Sequence, residues 1–192
     1  MNPDRPDLTS FEATVAALFS RVRGHIEPGS HRMRLLLKQE TLDCLQITPT
    51  VLVAGTNGKG TLCSLLEQTF RDSNLKTALY TSPHLISPTE RIRINGALMN
   101  ENAFINESQQ AFNRAKKHLP DATFFELITA IAFEYFARNK VDVLICEVGL
   151  GGRLDSTNVT SPTVSVLTSV GLDHTEWLGK DEKSIAHEKA YI

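Results

Sequence analysis

The segment Val51-Leu52-Val53-Ala54-Gly55-Thr56-Asn57-Gly58-Lys59-Gly60-Thr61 runs a β-type apolar stretch directly into a glycine-rich turn that carries one lysine. Few features restrict a fold more, because such a segment reads as strand, loop and helix start, with the helix amides facing outward. Glycines let successive backbone N–H groups converge on phosphate oxygens, the lysine reaches the terminal phosphates, and a hydroxyl such as that of Thr61 can stand near Mg2+. The spacing departs from the commonest phosphate loop. Val53 stands where a glycine is expected before Gly58, and Gly60 rather than a hydroxyl follows Lys59. A plain glycine-rich βα turn is the competing reading of this segment taken alone.

The rest of the chain alternates helical and strand patterns. Thr9-Ser10 can cap a helix carrying Phe11, Val15, Leu18, Phe19 and Val22, stopped by Gly24. A loop over residues 25–30 leads to a second helix with Met33, Leu35, Leu36 and Leu37, ending at Thr48-Pro49. After the cradle, Leu62, Leu65, Leu66 and Phe70 mark a helix face directed at a sheet. Strands are expected at residues 76–80 and 91–94, the latter half-exposed by its charge alternation, with helices at about residues 101–118 and 126–139. The runs at 141–148 and 163–168 read as strands buried on both faces. Strands separated by helices imply right-handed βαβ units, hence an α/β fold with a mostly parallel sheet flanked by helices.

Composition narrows the partners. At 192 residues and 41% hydrophobic content the chain can bury one α/β core, and a formal charge of −2 gives no electrostatic case for nucleic acid or an anionic membrane. No apolar run is long enough for a membrane span and the N-terminus has no signal-peptide pattern, which reads as a cytoplasmic protein. Cys44, Cys63 and Cys146 lack metal-ligand spacing and read as reduced, packed thiols.

In a parallel sheet, ligands bind outside the carboxyl ends of the strands, and every unusual polar cluster here falls at such an end. The first strand ends at the cradle, the second at Ser82 and His84, the third at Glu147 with Gly149-Leu150-Gly151-Gly152-Arg153-Leu154-Asp155 behind it, the fourth near Asp173-His174. A carboxylate at Glu147, in an otherwise apolar strand, needs a cation or hydrogen-bond donors. A divalent metal would serve, as would an ion pair with Arg153 or another base. Hydroxyls and carboxylates suit Mg2+, and the sequence lacks the His/Cys set of a closed zinc site.

Assembled, these residues resemble the N-terminal part of the folate branch of the Mur ligase superfamily, the dihydrofolate synthase/folylpolyglutamate synthases. GTNGKGT at Gly55–Thr61 matches the superfamily's ATP loop. TSPHL at Thr81–Leu85 and TERIRING at Thr89–Gly96 match the folate branch, and FFELITA at Phe124–Ala130 is similar to its folate-site helix start. EVGLGGRLDSTN at Glu147–Asn158 and LDHTEWLG at Leu172–Gly179 complete an ordered set over most of the chain.

The resemblance implies a P-loop-containing domain of Mur ligase central type over residues 49–192. Residues 1–48 would form a helical segment contributing to the folate site, and the chain would stop before a separate C-terminal domain. It implies that Gly55, Thr56, Asn57, Gly58, Lys59, Gly60 and Thr61 hold ATP, that Ser82 and Glu147 bind one Mg2+, and that Glu147 and His174 share a second. Lys189, in Glu188-Lys189-Ala190, corresponds to the lysine carbamylated in the superfamily. An ammonium about 4 Å from Mg2+ would repel it by roughly 8 kcal/mol at an effective dielectric of about 20, whereas a carbamate helps hold the metal. Folate contacts are implied for His25, Ile26, Glu27, Pro28, Arg32, Phe124, Phe125, Arg153, Leu154 and Asp155, where flat aromatic faces suit a pterin.

The implied reaction is ATP-dependent addition of L-glutamate to dihydropteroate or folate through an acyl phosphate. Lys59, His174 and Lys189 stand closest to the chemistry, in a protein monomeric in its complete form. Without the second domain the chain is expected to be inactive alone. Two alternatives stay open at this point: a Mur-type ligase with another acceptor, and a non-catalytic nucleotide-binding fragment or split subunit.

Overall fold

The computed structural model describes residues 8–21 and 29–192. Helix α1 (Phe11–Phe19) opens on Ser10, whose Oγ accepts from the Ala13 amide at 3.1 Å, as the sequence suggested. Val22, Gly24 and the loop at residues 25–28 lie outside the described residues.

The single second helix expected over residues 33–47 is instead two, α2 (Met33–Leu36) and α3 (Gln39–Ile47), preceded by a short 3-10 turn. The break has a tertiary cause. Leu37 and Lys38 are extended, and the Lys38 amide donates to Glu134 Oε1 at 2.8 Å instead of continuing the helical ladder.

Strand β1 (Thr50–Ala54) enters the glycine turn and helix α4 (Lys59–Asp72) leaves it, followed by β2 (Thr77–Tyr80), β3 (Ile92–Ile94) and β4 (Ala97–Leu98). Helices α5 (Glu101–His118) and α6 (Phe124–Asn139) precede β5 (Val143–Glu147), β6 (Val164–Leu167) and the short helices α7 (Thr175–Leu178) and α8 (Glu182–Lys189). The sheet order is β4-β3-β2-β5-β1-β6. Strands β2, β5, β1 and β6 run parallel, and β3 and β4 turn back antiparallel at one edge.

Alternation along the central strands builds two cores. Val51, Val53, Leu79, Val143 and Ile145 face α4, where Cys63, Leu62, Leu66 and Phe70 meet them. Leu52, Ala54, Ala78, Tyr80, Leu144 and Cys146 face the larger layer of α5, α6 and the N-terminal helices. Successive strand side chains point to opposite faces, so two helical layers bury both. Leu65, expected on the sheet face of α4, is exposed; the buried stripe runs through Cys63 and Glu67, and Leu65 lies on the helix back.

β6 also departs from expectation. Val164 and Leu167 are 50% and 40% exposed, because β6 is the edge strand, bonded only to β1, and only Val166 packs against the α4-side core. Its apolar composition therefore reported strand formation rather than burial. All three cysteines are free, with Cys63 and Cys146 buried.

Candidate functional site

The glycine loop separates into two parts. Thr56 and Asn57 are bolted to the segment after β6: the Thr56 amide donates to Ser169 O at 2.9 Å, the Asn57 amide to Ser169 Oγ at 3.0 Å, and the Gly171 amide to Thr56 Oγ1 at 3.1 Å. These groups are therefore engaged in shaping the loop. Gly58, left-handed at φ 83°, ends it and caps α4. The amides of Gly58, Lys59, Gly60 and Thr61 have no acceptor among the described residues, since the first helical N–H groups have no partner within their helix. Four donors thus face outward at the positive end of a 14-residue helix dipole.

Two ammonium groups converge behind this surface. Lys59 Nζ donates to Gly55 O at 2.9 Å and Thr56 O at 3.3 Å, and Lys189 Nζ donates to the same Gly55 carbonyl at 3.1 Å. Lys189 is only 3% exposed, and burial, reinforced by the Lys59 charge, holds its pKa below the ordinary lysine value.

Glu147, at the end of β5, is 4% exposed. Its Oε2 accepts from the Ser82 amide at 3.0 Å, while among the described residues Oε1 takes no hydrogen bond and no cation stands within ion-pair distance. Burial raises its pKa, partly offset by the Ser82 amide and the charges of Lys59 and Arg91. Arg153 is not its partner: that guanidinium pairs with Glu188 at 2.9 Å on the surface. Gly60 packs beside the carboxylate, where an added Cβ would lie 3.5 Å from Oε2. The missing hydroxyl after Lys59 thus leaves the space before Glu147 open.

A cleft of about 540 Å3 joins these parts to an aromatic wall. Lys59, Ser82 and His174 line it together with Phe124 and Phe125 of α6 and the loop Gly149–Gly152. His174 caps α7 in a left-handed conformation at φ 47°. Among the described residues no group of three or more His, Cys, Asp or Glu side chains could hold a metal unaided. The donor set on offer is one carboxylate, one imidazole and one hydroxyl, which suits a cation that keeps waters or shares phosphate oxygens.

The wall is set by a capping box. Thr123 Oγ1 accepts from the Glu126 amide while Glu126 Oε2 accepts from the Thr123 amide at 2.7 Å, starting α6 two residues before the expected Glu126 and putting both phenylalanines on its first turn. Glu126 is also gripped by Arg32 at 2.5 Å, and Asp121 meets the same guanidinium at 3.2 Å. Hydrogen bonding to Glu126 holds the Arg32 pKa well above its ordinary value. Arg32 therefore positions the wall without lining the cleft. Phe124 stacks on Phe19 at 5.1 Å, and Phe125 lies so close to Gly149 that an added Cβ would approach its ring to 2.4 Å.

The profile of the Mur ligase middle domain matches residues 53–192. The chain belongs to the Mur ligase family. It is 44% identical over 168 residues to the dihydrofolate synthase/folylpolyglutamate synthase of Escherichia coli K12, covering 87% of this chain but 39% of that protein. E. coli FolC in complex with DHPP and ADP superposes with a TM-score of 0.87 at 38% identity, over 97% of this chain and 45% of the other. A bifunctional folylpolyglutamate synthase/dihydrofolate synthase solved with Mn, AMPPNP and L-glutamate gives 0.83 at 41% identity, again over 97% and 45%. The chain thus spans about two fifths of the length of such relatives.

Within this Mur ligase domain the remaining expected residues divide. Leu154 and Asp155 line the cleft, but the Asp155 carboxylate is turned into its own loop, accepting from the Leu150 amide at 2.8 Å and from Thr157 Oγ1 at 2.6 Å. Thr61 stands exposed at the helix start. His25, Ile26, Glu27 and Pro28 lie outside the described residues. Arg91 and Trp177 line the cleft and were not singled out from the sequence. The regular alternation of Arg91-Ile92-Arg93-Ile94 hid Arg91, which is buried although the strand was expected to leave it half-exposed.

Proposed function

We propose that this chain carries the nucleotide- and metal-binding part, and one wall of the acceptor site, of an ATP-dependent ligase joining L-glutamate to the carboxylate of dihydropteroate or a folate. The observation that carries the reading is one cleft shared by Lys59 of the outward-facing amide loop, by Ser82 and His174, and by Phe124 and Phe125. The ADP, DHPP, AMPPNP, Mn and L-glutamate bound by the similar structures support it.

In this reading the amides of Gly58–Thr61 and the Lys59 ammonium hold the ATP phosphates, with Gly55, Thr56 and Asn57 keeping the loop in shape. Ser82 and Glu147 hold one Mg2+; Glu147, His174 and a carbamylated Lys189 hold a second. The fit rests on Glu147, a buried carboxylate with a free oxygen and no cation of its own. Bound Mg2+ would neutralise charge on the phosphate oxygens. Carbamylation suits Lys189, since burial favours its neutral amine, whose nitrogen adds to the carbon of CO2 and loses a proton to leave an anionic carbamate.

The acceptor lies along Phe124, Phe125 and the loop through Arg153, Leu154 and Asp155, with Arg32 holding that wall in place through Glu126. Its carboxylate takes the γ-phosphoryl group, the glutamate amine attacks the acyl phosphate, and phosphate leaves. The chain's residues contribute mainly position and electrostatics, because phosphoryl transfer leaves a protein little covalent work. The reading carries with it a monomeric, cytoplasmic protein that binds neither nucleic acid nor membrane; among the described residues no helix is long and apolar enough to cross a membrane.

Calorimetric titration of the 192-residue chain tests the proposal. ATP should bind with Mg2+ and lose affinity in EDTA, Lys59→Met should weaken it by about tenfold or more, and pteroate should bind independently. ATP and glutamate should give no turnover with this chain alone. Absence of Mg2+-dependent nucleotide binding would reject the reading, and nucleotide binding without pteroate binding would favour a Mur-type ligase with another acceptor.

A further inference from the structure

Among the described residues, Arg91 is the one buried cation lining the aromatic side of the cleft that no carboxylate holds. It is 8% exposed and lines the cleft. Its Nε donates to His84 Nδ1 at 2.8 Å, and its Cζ sits 5.2 Å from the centroid of the Phe124 ring. Among the described residues no acceptor meets either terminal nitrogen, and no carboxylate lies within ion-pair distance. The other buried arginine, Arg32, is by contrast matched by Glu126 and Asp121.

A guanidinium with one edge anchored and its terminal nitrogens open to a cleft presents two parallel donors to whatever ligand enters. The fixed fork of an arginine fits a planar, two-oxygen acceptor better than it fits an isolated oxygen. Position narrows the ligand further. Arg91 lines the same cleft as Phe124 and as Lys59 of the phosphate loop. With its Cζ 5.2 Å from the Phe124 ring, Arg91 is within reach of a group carried by a flat ring that rests on that wall.

Building on the ligase reading above, we infer that Arg91 grips the carboxylate of the acceptor substrate, the group to be activated, through its terminal nitrogens, with His84 as the positioning residue that fixes the fork. His84 packs against the stacked pair of Phe19 and Phe124, 5.9 Å and 6.4 Å away, which holds the acceptor nitrogen it offers Arg91 in place. The pair assigns to the loop after β2 a role in reading the acceptor as well as in supplying Ser82. It also makes a carboxylate obligatory for tight binding, so a neutral pterin of the same shape is rejected before any phosphoryl transfer.

The test compares pteroate with its primary amide, pteroamide, by calorimetric titration of the 192-residue chain. Wild type should prefer the acid by at least about tenfold, the scale of a charge-assisted hydrogen bond. Arg91→Gln should erase that preference while still binding pteroamide, which also certifies the fold. Arg91→Lys, retaining charge without the fork, should keep only part of it. His84→Phe, which preserves the ring packing but removes the acceptor nitrogen, should lower the acid-to-amide ratio, and His84→Asn should restore part of it. Equal binding of acid and amide by wild type, or a preference surviving Arg91→Gln, overturns the assignment while leaving the ligase reading intact. A loss in Arg91→Gln confined to MgATP makes Arg91 a phosphate ligand and overturns it equally. Failure of wild type to bind either pterin removes the ligase reading and this inference together.

Discussion

From Gly55 to Thr61 the candidate phosphate site is made of backbone amides beside the Lys59 side chain, whereas the wall at Phe124 and Phe125 is side chain carried on a helix that other segments hold in place. The loop is held by its own glycines, the Thr168–Gly171 segment behind it, the start of α4 and Lys189 on the Gly55 carbonyl. The wall depends on Thr123, Glu126, Arg32 and Asp121, drawn from stretches about ninety residues apart. A backbone site tolerates exchange of neighbouring side chains and fails through loss of a glycine or the lysine. A wall assembled from a buried ion pair fails through residues that never touch the ligand.

The largest expected effect lies in the wall. Arg32→Met leaves Glu126 buried without its cation and should cost about 3 kcal/mol, read as a lowered urea midpoint, with pterin affinity falling and Mg2+-dependent nucleotide affinity kept. Should stability hold while pterin affinity drops, Arg32 is a direct ligand and the two regions are less different than drawn. Glu147→Gln probes the loop side. It removes a buried, uncompensated carboxylate, so the metal-free chain should melt a few degrees higher, while the gain in nucleotide affinity on adding Mg2+ should shrink about tenfold. A lower Tm in the variant would mean that Glu147 has a stabilising partner in the protein.

The same contrast explains how much was legible in the sequence. The loop is contiguous, so its strand, its glycines and Lys59 could be read in order, and the parallel strands before and after it followed from their apolar runs. Glu147 stood out because a charge interrupts an apolar strand. What the sequence concealed was set by tertiary partners. Glu134 draws the Lys38 amide out of a continuous helix, and Thr123 with Glu126 moves the start of α6 back onto the phenylalanines. Arg91 reads as part of an alternating strand, but it closes the 3-10 turn Pro88–Arg91 just before β3, and its burial is set by that turn and its neighbours in the fold. The exposure of β6 is likewise a fact about its neighbours: its residues are as apolar as those of β1, but the sheet ends there. Asp155, which the resemblance puts among the folate contacts, has its carboxylate engaged in folding its own glycine-rich loop.

A smaller effect separates cap from wall. Thr123→Val removes the N-cap hydroxyl while keeping the shape of the side chain, and should destabilise α6 by about 1 kcal/mol. Because Arg32 still holds Glu126, pterin affinity should fall less than in Arg32→Met; an equal fall would assign the placement of Phe124 to the cap.

The smallest effect concerns the loop after β2, which carries Ser82 toward the phosphate side and His84 toward the wall, and so links the two regions. Glu90 holds it from below, its carboxylate accepting from the amides of Leu85 and Ile86 at 2.9 Å and of Ser87 at 2.7 Å. Those amides, the Leu85 bond first, depress the Glu90 pKa to about 2. A carboxylate whose folded pKa lies below its unfolded value stabilises the fold at pH above the unfolded value and loses that contribution as pH falls through the folded one. The stability difference between wild type and Glu90→Gln should therefore be full above pH 4.5 and shrink toward pH 2. Amide exchange at Leu85, Ile86 and Ser87 should be faster in the variant over the same upper range, while exchange in β1 is unchanged. A difference in stability independent of pH would trace the effect to packing of the longer loop and not to the charge, and the link between the two regions would then be steric.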